Sequence, residues 1–253
     1  MTLVLGIRCT DGVIIGSDSA MTFGPNAQLP TIEQKNREKI SVVDGRVVVA
    51  GTGYIGCSQR FIDRVRGLWQ EKQLQSVDPI EMGRRISRAA IDDFISTKVQ
   101  PGGFGALVAV PRGQSAELIE FALQDLQPEV KTDANWYASM GSGQTVLDPL
   151  LGFARAVFWG DQPPNSTDGL FVATLILKLA IQMSPTGVAG PIQMAVLQPA
   201  RKGQLAARLL TRDEIVEHEA SVDSAIDYFR GYKAMMGGGD ETAEEAPAAP
   251  ASP

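Results

Sequence analysis

At 253 residues, 44% of them hydrophobic and 21% charged, the chain carries enough apolar material for one sizeable core. Its net charge is −6, and four of the acids (Asp240, Glu241, Glu244, Glu245) follow the last basic residue, Lys233, which leaves only −2 for the body. That balance offers no electrostatic footprint for nucleic acid or an anionic membrane, so neither is expected as a partner.

Two cysteines, Cys9 and Cys57, lack CxxC spacing and have no signal peptide ahead of them. They imply reduced, packed thiols in a cytoplasmic protein rather than a disulfide framework or a cysteine-rich zinc site. The most apolar stretch, "LFVATLILKLAIQM" over 170–183, is short for a bilayer span and carries Lys178, so it reads as a buried helix.

In chain order, "LVLGIR" (3–8) and "VIIGSDS" (13–19) are β-branched runs joined by "CTDG", whose Asp-Gly signals a hairpin. A looser stretch, "AMTFGPNAQLPTIEQKNRE", leads into "KISVVDGRVVVAGTG", where a second Asp-Gly predicts a second hairpin closed by a glycine-rich corner. Phe61, Ile62, Val65, Leu68 and Trp69 recur at helical spacing over about 54–74. Ile80, Ile86, Ala89, Ala90, Phe94 and Ile95 do so over about 78–98, behind a "DP" start. "FGALVAVP", "AELIEFAL" and "NWYASMG" read as strands, followed by helices near 143–159 and 167–183, strands near 191–198 and 204–210, and a helix near 212–234.

This order of strands, helix pair, strands, helix pair, strands, helix lacks the alternation of a doubly wound parallel sheet. It predicts an α+β protein: a four-layer αββα sandwich of two antiparallel sheets flanked by helix pairs, formed by residues 1–235 as a single domain. The segment 236–253, "GGGDETAEEAPAAPASP" and its lead-in, has no large apolar residue beyond Met236 and is expected to be a disordered tail.

The familiar catalytic kits are missing from the sequence. The single histidine, His218, lies in the charged helical stretch "DEIVEHEA", where an exposed helix residue is its simplest reading. No P-loop, no GxGxxG behind a strand and no EF-hand pattern appears. One remaining base is the α-amino group, whose ordinary pKa of about 8 leaves a neutral fraction at cellular pH. Once Met1 is removed, Thr2 would carry a nucleophilic hydroxyl and its own general base on one residue.

With that reading the sequence resembles the proteasome β-subunit family of N-terminal nucleophile hydrolases, over most of residues 2 to about 210. "TLVLGIRCTDGVIIGSDSAMT" is similar to the family's opening, "REKISVV" to its lysine-bearing strand, "VAGTG" to its glycine corner and "GSG" at 141–143 to its serine turn. Bacterial proteasome-like proteins such as the betaproteobacterial proteasome homologue look nearest, with the Anbu group and HslV as neighbours. The resemblance implies Thr2 as nucleophile, Lys39 as the cation that lowers the pKa of its hydroxyl and ammonium, and Asp18 as the carboxylate that holds Lys39. It implies Gly51 as the backbone donor to an oxyanion, Ser142 as the hydroxyl beside the threonine amine, and Met21, Thr22, Val49 and Gly53 as substrate-binding positions.

The resemblance further implies a threonine endopeptidase without cofactor or metal, working on unfolded polypeptides inside a self-assembled ring or double ring, with heptameric rings expected and an ATP-dependent unfoldase as a family-level partner. Against it stands "SPTGVAGPIQMAVL", which places Pro185 and Val188 where the family carries an Asp and a Ser, weakening the proton relay. Two other functions remain open: a structural ring or adaptor with weak or no hydrolysis, and an amidohydrolase for a small acyl-amide. Residue by residue, plainer readings also stand. Lys39 can be a solvated edge residue, Asp18 a turn former, Ser142 a helix N-cap, and Gly51 and Gly53 mere turn glycines.

Overall fold

The structure is a computed structural model that describes residues 2–23, 31–34, 38–100, 102–184, 187–200 and 203–237. Among these residues twelve strands and five α-helices follow one another as β1 (Val4–Arg8), β2 (Val13–Ser17), β3 (Met21–Phe23), β4 (Thr31–Gln34), β5 (Ile40–Val43), β6 (Val47–Gly53), α1 (Ile55–Gln70), α2 (Pro79–Ser96), β7 (Phe104–Arg112), β8 (Ser115–Phe121), β9 (Pro128–Val130), β10 (Tyr137–Met140), α3 (Gln144–Ala154), α4 (Ser166–Met183), β11 (Gln193–Pro199), β12 (Leu205–Leu209) and α5 (Arg212–Gly237). Sheet 1 has the order β10-β1-β2-β11-β12 and sheet 2 the order β5-β6-β7-β8-β9, with every pairing antiparallel.

The strands are apolar on both faces because both faces are covered. Along β1, Leu5 and Ile7 point with Leu3 into the layer of α3 and α4, while Val4 faces sheet 2. Along β6, Val47 and Val49 face α1 and α2, while Val48 and Ala50 face sheet 1. This period of two sorts the core into three apolar layers, helix pair on sheet 2, sheet on sheet, and sheet 1 on helix pair, which is the four-layer αββα arrangement.

Both predicted hairpins form. β1 and β2 pair from Val4 opposite Ser17 to Arg8 opposite Val13, and β5 and β6 turn through Asp44 and Gly45, both at positive φ. Asp78 caps α2 by accepting the Ile80 N–H at 2.9 Å, with Pro79 in the first helical position. The apolar stripe of α2 is narrower than its sequence spacing predicts: Ile86, Ala90 and Phe94 are buried together with Met82, whereas Ile80 and Ile95 face solvent.

Other segments differ from expectation. The loose stretch after Ala20 contains the two-stranded β3–β4 ladder. β9, opened by Pro128, adds an edge strand to sheet 2, a position where a residue without an N–H is tolerated. The helix expected over 143–159 is α3 followed by a π-helical turn, Arg155–Trp159. By length and composition α4 could cross a membrane. Here Val172, Ala173, Ile176, Leu177 and Ala180 belong to the core on sheet 1, and Lys178 pairs with Asp223 of α5. α5 runs to Gly237, so the first two residues of the expected tail are helical, and the rest of it lies outside the described residues.

Candidate active site

The mouth of the space between the two sheets lies where β1 begins and β2 ends. Leu3, fully buried, packs into the core on sheet 1 and anchors the chain there. Strand alternation then turns Thr2 to the side that Val4 faces, toward sheet 2. The backbone around Thr2 is held from two directions. The Thr2 nitrogen donates to Ser142 Oγ at 3.0 Å, and the Thr2 carbonyl accepts the Gly143 N–H at 3.2 Å. On the other side the Leu3 N–H donates to Asp18 Oδ1 at 2.9 Å, and the Leu3 carbonyl accepts the Asp18 N–H at 3.3 Å.

Asp18 is fully buried one residue past the end of β2. Its Oδ2 accepts the Ala20 N–H at 3.1 Å, and its Oδ1 accepts Lys39 Nζ at 2.6 Å. Lys39 stands one residue before β5, with its side chain 9% exposed. Burial pushes the Lys39 ammonium below the usual lysine range, against the opposing pull of Asp18. A buried ion pair adds little net stability, because desolvating both charges offsets their attraction. Through Asp18 the pair is tied to the backbone of Leu3 and Ala20.

The turn before α3 supplies Ser142. The helix is preceded by Gly143, with no side-chain cap, so Ser142 is not serving as an N-cap; its hydroxyl is directed at the Thr2 nitrogen instead. Gly141, at φ 96°, fits only as glycine, since a Cβ there would collide with the Thr2 carbonyl. Gly51 lies inside β6, opposite Ala106, rather than in a turn, and a Cβ on it would meet the Phe104 ring at 2.8 Å and Ser58 Oγ at 3.0 Å.

Thr2, Lys39, Gly51, Gly53 and Ser142 all line one cleft of about 1260 Å³, along with Ala20, Tyr54, Ser58, Ile62 and Glu120. Asp18 lies beneath it, bonded to Lys39. The other sequence-derived positions fare differently. Val49, on the helix-facing side of β6, is 1% exposed, packs among α1 and α2 and does not line the cleft. Met21 and Thr22 fall in β3, and their side chains lie outside the described residues. Val188 is buried in the core on sheet 1, while Pro185 lies outside the described residues.

Several residues around the cleft carry no motif that marks them in the sequence. Ser139 on β10 donates to Asp148 of α3, which also accepts from Gln144 at 3.2 Å, bracketing the Ser142 turn. Gln193, at the start of β11, accepts the Lys39 N–H at 3.0 Å from outside the cleft lining. Its one sequence signal is a polar residue set between Ile192 and Met194, at the start of an apolar run. Among the described residues no group of three or more His, Cys, Asp or Glu side chains is arranged to hold a metal ion.

Comparison with known proteins bears on family and fold. Residues 2–156 match the family described as proteasome subunit. Two curated relatives, the proteasome subunit alpha of Methanoculleus marisnigri and that of Methanosphaerula palustris, are each 28% identical over 102 residues, which is 40% of this chain. The chain spans only about 39% of the length of either relative. Among solved structures, an Anbu (Gly-1) mutant from Hyphomicrobium sp. strain MC1 aligns with a TM-score of 0.65 at 11% identity, covering 93% of this chain and 100% of that one, a likeness of fold alone.

Proposed function

The chain belongs to the proteasome subunit family, and on that premise we propose that it is a threonine peptidase whose nucleophile is Thr2 after removal of Met1. The observation that carries this reading is the convergence of Ser142 on the Thr2 nitrogen and of the Lys39–Asp18 pair on the neighbouring backbone, at the mouth of one cleft.

With Met1 gone, the Thr2 nitrogen becomes an α-amine, basic enough to take the proton of its own hydroxyl. The Lys39 ammonium shares Asp18 Oδ1 with the Leu3 N–H and opens on the same cleft as Thr2; on this reading it lowers the pKa of hydroxyl and amine together, and Asp18 keeps it in place. The Thr2 oxygen attacks a peptide carbonyl, with the Gly51 backbone N–H stabilising the oxyanion. Collapse breaks the C–N bond; the leaving amine takes the proton from the Thr2 amine, with Ser142 as relay. The amine then activates the water that hydrolyses the ester and frees Thr2.

Substrates on this reading are extended, unfolded polypeptides, admitted to a chamber built from rings of this chain, heptameric by family likeness, in the cytoplasm, with an ATP-driven unfoldase as the natural partner. A second reading, a structural ring without hydrolysis, is favoured by the names of the curated relatives, which are alpha subunits.

One experiment separates the two. Intact mass before and after incubation with a peptide epoxyketone, which closes a ring on a hydroxyl and a free amine of one residue, is expected to show loss of Met1 and one adduct per chain. Thr2→Ala should give no adduct and no hydrolysis while keeping its assembly, and Lys39→Ala should do nearly the same. A clean Thr2 terminus that takes no adduct would leave the structural ring as the function.

A further inference from the structure

Lys39 lies outside any strand ladder, since β5 begins at Ile40 opposite Ala50. Its backbone is held by a residue far away in sequence: Gln193 Oε1, which accepts the Lys39 N–H at 3.0 Å. Gln193 opens β11 and is paired in register with Ser17, directly before Asp18. Ala195 and Leu197, two and four residues on, face sheet 2. Alternation therefore turns Gln193 toward the same intersheet space.

Lys39 leads into sheet 2 yet is gripped twice by adjacent strands of sheet 1. β11 holds its backbone through Gln193, and the segment after β2 holds its ammonium through Asp18. We propose that Gln193 is a positioning residue, the clamp that fixes the backbone end of Lys39 so that the ammonium stays beside Thr2. The clamp presupposes Thr2 as nucleophile and Lys39 as its cation.

The physical need is plain. A lysine side chain carries about 2 kcal/mol of rotamer entropy, and water solvates an ammonium better than a buried site does, so a lysine at an open mouth tends to swing outward. A second hold at the backbone shortens that swing. A neutral amide suits the task better than a carboxylate, because it accepts the N–H without adding a charge that would raise the ammonium's pKa. Asp18 beyond β2 is bonded to this ammonium; the other titratable groups on the same cleft are the Thr2 amine ahead of β1, Glu38 on its own segment and Glu120 of β8, which pairs with Lys131 at 2.7 Å.

The test compares wild type, Gln193→Leu and Gln193→Glu as full chains, by two readouts. The first is the pH profile of epoxyketone modification. The second is the pH midpoint at which Lys39 is acetylated by trace acetic anhydride, followed by peptide mass. Gln193→Leu is expected to slow modification by about 10- to 100-fold, the cost of misplacing a group by about 1 Å. Freed from burial, its Lys39 should acetylate with a midpoint moved up toward the ordinary lysine value of about 10.4, carrying the alkaline limb of the profile with it. Gln193→Glu, which keeps an acceptor but adds a charge, should recover part of the rate, with its midpoint also above that of wild type.

Wild-type rate and an unmoved midpoint in Gln193→Leu would overturn the clamp. So would a rate loss that Gln193→Glu does not rescue while the midpoint stays put, the mark of a merely structural role. If the wild-type chain takes no epoxyketone, the peptidase reading fails by itself, and the acetylation midpoint alone decides whether Gln193 holds Lys39.

Discussion

The space between the two sheets has a middle and a mouth, built from the same strands with opposite logic. In the middle, Val4, Val13 and Ile15 of sheet 1 meet Val48, Leu107 and Leu118 of sheet 2, all fully or almost fully buried. At the mouth, two or three residues along β1 and β2, Thr2 meets Ser142 and Asp18 meets Lys39. Contacts in the middle are non-directional, so what matters there is filled volume. At the mouth the Thr2 nitrogen, the Asp18 carboxylate and the Lys39 ammonium each have a particular partner at hydrogen-bond distance, and a lost partner leaves a polar group unpaired. A site that tolerates buried charge sits where the sandwich opens, because there the ion pair can be reached without dismantling the core.

Mutations should break the two ends differently. Asp18→Ala leaves the Lys39 ammonium and the Leu3 N–H without their acceptor, and should cost about 3–5 kcal/mol in urea unfolding, the usual penalty for stranding a buried charge. Lys39→Met strands the fully buried Asp18 carboxylate in turn, but leaves it the Leu3 and Ala20 N–H donors, so it should cost somewhat less while abolishing epoxyketone modification as fully. Equal destabilisation by the two would mean that the Leu3 and Ala20 N–H groups do not sustain the Asp18 carboxylate once its cation is gone.

In the middle, Leu107→Ala should cost about 2–5 kcal/mol through the cavity it opens. The rate of Thr2 modification per folded chain should nevertheless hold, and a rate falling in step with stability would show that the core and the mouth are not separable. Ser142→Ala, which removes one partly exposed hydrogen bond, should cost only about 0.5–1.5 kcal/mol and slow modification more than it lowers the melting temperature.

The smallest effect is expected far from both ends, where α5 begins. Thr211 and Glu214 cap each other's N–H groups there, and Arg208 grips Glu214 through two bonds of 2.8 Å. The Arg208 guanidinium first, and then the Thr211 N–H, pull the Glu214 carboxyl down to about 2. With its folded pKa depressed, Glu214 stabilises the protein fully above about 4.5, and that contribution fades as pH falls toward about 2. Side-chain exposures of 35% for Glu214 and 49% for Arg208 limit it to under about 1 kcal/mol. Glu214→Gln should therefore melt slightly below wild type at pH 7 and together with it at pH 2.

Much of the molecule is legible in the chain. Both Asp-Gly hairpins, the Asp78–Pro79 helix start and the alternation of the long strands stand where the pattern puts them, because each depends on residues close in sequence. Local patterns failed where distant chain decides. β9 is too short and too polar to read as a strand without β8 beside it. Ile80 and Ile95 keep helical spacing yet face solvent, since the width of the buried stripe is set by what sheet 2 can cover. Val49, a substrate-binding position by family likeness, is 1% exposed among α1 and α2.

By itself, the sequence determined the kinds of element, their order and the types of residue that could do chemistry, through turn signals, periodicity and the absence of a histidine- or metal-based kit. Only the tertiary structure decided which of those residues meet. It brings Ser142 to Thr2 across 140 positions and Gln193 to Lys39 across 154. No local preference encodes a contact of that span, because its loop-closure entropy is offset only when two whole sheets close on each other and bury their apolar faces.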